Sequence, residues 1–265
     1  MNLLLKLGLA GFTLLLGAAL IGPFLAPYSV AYMDISRELL SPGEGNLLGT
    51  GVNGIDVLSW LLHGCRVSLT VGLSVVAVSL SIGVTMGLMA GYFGGRFDYA
   101  LMRVIDVLLA FPGILLAIYI AAVLPPSLTN VVLALSATGW VGYARLVRGQ
   151  VLQVREMDYV QACHAMGMKA PRIMFRHILP NIAGPVMVHG SFGLGGAILG
   201  EAALSFLGLG VAPGTPSWGA LLDDGAQDLL VAPHLAIAPG LAILLAVLSF
   251  NFLGDGLRDH LDVRS

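Results

Sequence analysis

The chain has 265 residues, 57% hydrophobic and only 11% charged, with a net charge of −2 and a mean hydropathy of +0.89. Ordinary soluble domains carry roughly 25% charged residues. This composition therefore excludes a soluble globular domain and points to a protein embedded in lipid, with nucleic acid not an expected partner.

A bilayer core of ~30 Å takes about 20 mainly apolar residues per helix. Six stretches meet that requirement: 3–25, 67–90, 101–124, 128–147, 182–204 and 234–253. The expected fold is an all-α polytopic membrane protein with about six transmembrane helices. It forms one domain over 1–265, with the first span and an outer segment in 1–66 and the core helices in 67–265. The first apolar run exceeds the 7 to 15 residues of a signal-peptide core and reads as an uncleaved span. With the amino terminus inside, only Arg37 and Arg66 of the 13 basic residues lie outside. Lysine and arginine accumulate in cytoplasmic loops, so both termini are expected to be cytoplasmic. Cys65 and Cys163 then fall on opposite sides of the membrane and cannot pair.

Within the second stretch Gly83, Gly87, Gly91 and Gly95 recur every four residues, and Gly196 and Gly200 repeat the device in the fifth. Small residues at that spacing let helices approach closely in lipid, so these are expected packing positions. Charges inside spans are costly and therefore informative. Asp106 either pairs with Arg103 at i, i−3 or lines a water-filled path. Glu201 either reaches the interface or faces a translocation cavity. Pro112 is expected to kink the third span, because proline removes a helical hydrogen bond and clashes with the preceding turn.

The stretch "QACHAMGMKAPRIMFRHILPN", 161–181, is the longest polar interruption among the later spans. Gly167 fits the end of a short helix over 158–166, and Pro171 fits the first turn of the next. Tyr159, Val160, Cys163 and Met166 fall on one face of the first piece, and Ile173, Met174 and Ile178 on one face of the second. Residues 156–181 thus form a cytoplasmic helix-turn-helix elbow, apolar on one surface and basic on the other. Such an elbow lies on anionic lipid or docks in a protein groove.

The spacing of Gln161, Ala162 and Cys163, then Ala165 and Gly167, then Leu179 and Pro180 resembles the E-A-A, G, I-x-L-P signature of permease subunits of ATP-binding-cassette importers. "ARLVRGQVLQVREMDYVQACHAMG", "LLGTGVNGIDVLSWLLHGCRVSL", "GYFGGRFDYALMRVIDVLLAFPGILLAI", "EAALSFLGLGVAPGTPSWGALLDDG" and "NFLGDGLRDHLDVR" extend the resemblance along nearly the whole chain. They are similar to the dipeptide, oligopeptide and nickel permeases, in particular their C-type subunit. Gln161 and Cys163 depart from that signature, as do Gly51, Ile55 and Trp60, which stand where the family has Asp, Arg and Arg.

The resemblance implies a type I importer fold in a bacterial or archaeal cytoplasmic membrane. It also implies that the elbow, through Gln161, Ala162, Cys163, Ala165, Gly167, Leu179 and Pro180, docks on an ATPase. Two ATPase subunits, a homologous permease and an extracytoplasmic binding protein would be partners, with di- or oligopeptides as first-choice cargo and nickel or another small solute as the alternative. No G-x-x-x-x-G-K-[ST] loop occurs, so ATP and Mg²⁺ are expected to be used by partner subunits, with no cofactor on this chain. The six histidines lack metal-site spacing, and neither a metal site nor a catalytic constellation is expected. A stand-alone secondary transporter is the reading from another class; it would carry more ionisable residues at mid-membrane than Asp106 and Glu201.

Overall fold

The computed structural model describes residues 2–43 and 45–262. Long helices follow one another with short connections: α1 (Leu3–Leu25), α2 (Val57–Phe93), α3 (Gly95–Leu109), α4 (Gly113–Val123) and α5 (Leu128–Val154). The elbow contributes α6 (Asp158–Ala165) and α7 (Ala170–Ile173), and α8 (Leu179–Phe206), α9 (Trp218–Gln227) and α10 (His234–Asp262) complete the chain. A π-helical segment, Met174–Ile178, joins α7 to α8, so that Ala170–Phe206 is one continuous helix of 37 residues.

Among the described residues, four helices are long and apolar enough to cross a membrane: Leu3–Leu25, Val57–Phe93, Ala170–Phe206 and His234–Leu261. The pair α3 and α4 adds a fifth crossing only if its 82° bend is counted within one span. The fourth expected span, 128–147, lies in α5, which has the length, at about 40 Å by helical rise, but a lower apolarity than the four. Its buried residues face α2 and α8 while Arg145, Arg148 and Arg155 hold neighbouring elements, so protein rather than lipid surrounds much of it.

Pro112 does more than kink the third span. Helix α3 stops at Leu109 and Pro112 caps α4 with ψ 118°, leaving a break instead of a bend in a continuous helix. The strongly amphipathic α3 is strapped to α5 by charge. Arg148 makes a two-pronged ion pair with Asp98, and Arg145 bonds Asp106 at 2.9 Å.

Helix α2 runs about 55 Å by helical rise, starting ten residues before its apolar stretch. Asp56 caps it, accepting from the Ser59 amide at 2.8 Å. The glycine stripe packs α2 directly onto the backbone of α5. A Cβ on Gly83 would meet the Trp140 carbonyl oxygen at 2.7 Å, one on Gly87 the Ala144 carbonyl oxygen at 2.6 Å, and one on Gly91 the Arg148 carbonyl oxygen at 3.0 Å. Gly95 does not belong to this stripe. Gly94 ends α2 in a left-handed conformation (φ 64°), which turns Gly95 into α3, where no atom lies within 4 Å of its Cβ position. Gly196 is likewise not a packing contact, because open space faces its Cβ, whereas Gly200 sits 3.0 Å from Leu135 of α5.

The two chain ends close the bundle at one end. Asn2 donates to Asp259 at 2.7 Å, and the side chain of Leu261 lies 3.1 Å from the Cβ position of Gly184 near the elbow. The segment between α1 and α2 covers the opposite end. There Ile55 and Trp60 join Val57, Leu221, Ala232 and Leu235 in one apolar cluster. Gly51 lies against Ile55, its Cβ position 3.1 Å from the isoleucine side chain. The departures at Gly51, Ile55 and Trp60 therefore occur together as one packed unit, which replaces charged side chains by buried apolar ones. Beside it Asp224 on α9 is half-buried, and that burial, with the charges of Asp223 and Asp228, pushes its carboxyl above the usual carboxylate range.

Candidate functional site: the coupling elbow and the buried polar groups

The elbow turn is built by a Schellman motif. Met168 donates its backbone N–H to the Cys163 carbonyl at 3.1 Å and Gly167 donates to the His164 carbonyl at 2.9 Å. This double closure requires a left-handed residue after the last turn, and Gly167 supplies it with φ 73°. Nothing lies within 4 Å of the Gly167 Cβ position, so conformation alone selects glycine here. Pro171 opens α7 from its first turn.

Four bonds and contacts order the elbow and its junction with the bundle. Arg155 donates to the Gly91 carbonyl near the end of α2 at 2.9 Å. Gln161 donates its side-chain amide to the Arg155 carbonyl at 3.0 Å. A carboxylate cannot donate, so glutamine at this position gains an intrachain bond that glutamate would lack. His164 stacks on Tyr92 with ring centroids 5.7 Å apart. Pro180 has no N–H to give to the turn before it, and the Asn181 side chain bonds the nearby His177 carbonyl at 2.8 Å. The π segment falls at this site of lost backbone bonding, as π-bulges commonly do.

The apolar face is only partly as expected. Val160, Cys163, Ile173, Met174 and Ile178 are buried, all but Met174 in the cluster that includes Leu88, Val147 and Val151. Tyr159 and Met166 are exposed instead, because the face that meets the bundle is narrower than the helical spacing implies. Gln161, Ala162, Ala165, Gly167 and Pro180 are exposed, together with His164, Lys169, Arg172, Phe175 and Arg176. The elbow thus spends its buried face inward and offers a mixed, basic surface on which Tyr159 and Phe175 are exposed aromatics. Cys163 is buried and Leu179 half-buried, so these two side chains hold the elbow in place and are not part of its outer surface.

The two acids singled out in the sequence, Asp106 and Glu201, differ. Asp106 forms the i, i−3 pair with Arg103 at 3.6 Å, but the shorter partner is Arg145 at 2.9 Å from another helix. All three side chains are about half exposed, and such pairs contribute at most about 1 kcal/mol. Glu201 neither reaches an interface nor faces a cavity. It is fully buried, and each carboxyl oxygen accepts a serine hydroxyl, Ser68 of α2 and Ser205 of α8, both at 2.8 Å. Ser68 in turn accepts from the Trp218 amide at 3.4 Å, tying α9 to the same knot.

Glu201→Leu is accordingly expected to lower thermal stability in detergent, because it leaves two buried hydroxyls unpaired at about 1–3 kcal/mol each. Glu201→Gln is expected to lose about half of that. Adding Ser68→Ala and Ser205→Ala to Glu201→Leu should restore much of the loss, and no restoration would sink the hydrogen-bond account.

Sequence reading missed one group. Ser79 and Tyr143 are buried with hydroxyls that bond nothing among the described residues, and His189 packs edge-on against Tyr143 at 4.9 Å. The available signal was register: Ser79 lies four residues before Gly83, on the same stripe.

Residues 83–265 match the family described as binding-protein-dependent transport system inner membrane component. The chain belongs to this family. The permease is 44% identical over 250 residues to the glutathione transport system permease protein GsiD of Pectobacterium atrosepticum, a match covering 94% of this chain and 83% of that one. It is 43% identical over 261 residues to the dipeptide transport system permease protein DppC of Alkalihalophilus pseudofirmus, covering 98% and 86%. The dipeptide permease DppC of Bacillus subtilis is 41% identical, with 97% and 82% covered. A solved structure of the inward-facing MetNI methionine ABC transporter superposes with a TM-score of 0.61, over 76% of this chain and 95% of that chain. At 18% identity that likeness establishes a shared fold.

Proposed function

We propose that this permease is one half of the membrane channel of an ATP-driven importer in the bacterial inner membrane, and that its cargo is short peptides. The observation that carries the reading is the identity of 41–44% along nearly the whole chain to permeases named for dipeptide and glutathione transport. Glutathione is itself a tripeptide, so both names describe peptide-bonded cargo. No observation favours nickel.

The elbow is the part that would meet an ATPase. Gln161, Ala162, Ala165 and Gly167 lie on its exposed side, while Cys163 and Leu179 lock it to the ends of α2 and α5. A push on such a rigidly attached element moves the helices it is bonded to, as rigid-body switching requires. ATP and its metal would be bound by two ATPase partners, a homologous permease would complete the path, and a soluble binding protein would deliver the peptide from outside. This chain then contributes shape and motion, with no bond made or broken on it.

Affinity purification of the tagged permease in mild detergent tests this directly. A second permease and ATPase subunits should copurify, with ATP turnover stimulated by a binding protein loaded with dialanine and not by one loaded with nickel. Recovery of the chain alone from several detergents would overturn the importer reading in favour of a stand-alone transporter.

A further inference from the structure

Two cavities, of about 350 and 360 Å³, follow one another along α8 and share two lining residues, His189 and Phe192. The cavity nearer the elbow is walled by Leu146 of α5, Gly184 and Pro185 of α8 and Leu261 of α10, with Arg258 at its exposed rim. The cavity farther from the elbow lies against Val75 of α2, Gly139 of α5 and Gly196 of α8. No Asp or Glu lines either space. His189 and Phe192 therefore stand where one cavity gives way to the other.

The setting of His189 is unlike that of the other half-buried histidines. His63 holds the Ser59 carbonyl at 2.9 Å and His234 the Thr50 carbonyl at 3.3 Å. His189 makes no hydrogen bond to any described residue, and its ring meets Tyr143 edge-on at 4.9 Å. Among the described residues, the partnerless side-chain atoms that are sealed from solvent are the hydroxyls of Ser79, Ser136 and Tyr143. The His189 nitrogens are not among them, so they are open to the cavities. A glycine keeps them open. Gly142 is exposed and lies on α5 between the walls Gly139 and Leu146, and a Cβ added there would sit 3.3 Å from His189 Nε2.

A polar group among apolar walls costs free energy unless it is bonded. Small-molecule sites are built in this way, from mostly apolar walls and a few placed polar groups. A peptide unit presents one N–H and one carbonyl, and a neutral imidazole has one donor and one acceptor to meet them. We propose that His189 is the residue of this permease that touches cargo in transit, its Nε2 hydrogen-bonding the backbone of a short peptide as the peptide passes from one cavity to the next. This role rests on the peptide-importer reading. The apolar walls accommodate the peptide's side chains without choosing among them, and a single neutral bond lets the cargo leave.

The complete importer, reconstituted in proteoliposomes with its binding protein, tests the role through uptake of labelled trialanine. His189→Leu is expected to lower uptake about fivefold, the size of one lost neutral hydrogen bond. His189→Gln, which keeps a donor and an acceptor, is expected to retain at least half of wild-type uptake. Gly142→Val leaves the histidine in place but covers Nε2, and it should lower uptake as His189→Leu does. Basal ATP turnover and copurification of the ATPase subunits should stay at the wild-type level in all three, because none of them touches the elbow. Wild-type uptake in His189→Leu or in Gly142→Val overturns the proposal. Uptake as slow in His189→Gln as in His189→Leu overturns it too, since it would reduce the imidazole to a space filler. A wild-type complex that keeps its ATPase subunits yet takes up no trialanine overturns the peptide reading, and this role with it.

Discussion

Gly87→Leu is expected to remove folded permease from the membrane fraction almost completely. The Cβ position of Gly87 lies 2.6 Å from the Ala144 carbonyl oxygen and 2.8 Å from the Val147 Cβ. The first of these is backbone, so no rotamer change makes room. Helix α5 must move away from α2, which separates Leu88 from Val147 and Val151 in the buried cluster that also seats the elbow. Overpacking a well-filled interior costs about 1–3 kcal/mol when side chains can shift, and more when they cannot. Against a net stability of about 5–15 kcal/mol, that decides whether the fold persists. In lipid there is no compensating gain, because helix association there rests on close packing itself. Gly149→Ala is the matched control on α5. Nothing lies within 4 Å of its Cβ position, and alanine improves helix propensity by up to about 1 kcal/mol. Fluorescence-detected size exclusion of tagged variants reads the contrast; a monodisperse Gly87→Leu peak of wild-type height would refute the contact.

What the sequence revealed and what it hid divide along a physical line. Apolar length found α1, the middle of α2 and α10, because burial in lipid is a property of each segment alone. The elbow turn was legible because Gly167 and Pro171 are local conformational instructions. The break at Pro112 was legible in place but not in size: proline says that a helix cannot continue, not the direction in which the chain resumes. Helix α5 was found as a helix, but the partners of its arginines, Asp98, Asp106 and the Gly91 carbonyl, lie 39 to 64 residues away, where no spacing rule reaches. Glu201 was misread for the same reason, since its Ser68 donor is 133 residues distant. Gly95 failed as a stripe position because one residue earlier Gly94 leaves the helix, an event that spacing does not register. The open edge of His189 becomes visible only once α5 and α8 are seen side by side.

Gly167→Pro is expected to abolish transport while leaving the permease in the membrane. Gly167 occupies φ 73°, whereas proline is locked near −65°. Proline also lacks the N–H that Gly167 donates to the His164 carbonyl, so half of the Schellman closure disappears with the left-handed turn. Helices α6 and α7 must then leave their fixed angle. Val160 and Cys163 on one side and Ile173 and Ile178 on the other cannot both remain in the same buried cluster. The damage is confined to the connection between α5 and the helix Ala170–Phe206, so insertion of the spans should survive. Under the coupling reading, peptide uptake should fall by more than the roughly tenfold effect of a single lost hydrogen bond network, and ATPase subunits should copurify poorly. Asparagine tolerates the left-handed conformation better than alanine does, and alanine pays about 1–2 kcal/mol there. Uptake should therefore rank Gly167 above Asn, Asn above Ala, and Ala far above Pro, since no neighbour obstructs a Cβ at this position. That ordering follows backbone conformation and not side-chain size. A ranking by bulk would place a partner surface directly against Gly167, and wild-type uptake in Gly167→Pro would mean that the elbow angle transmits nothing.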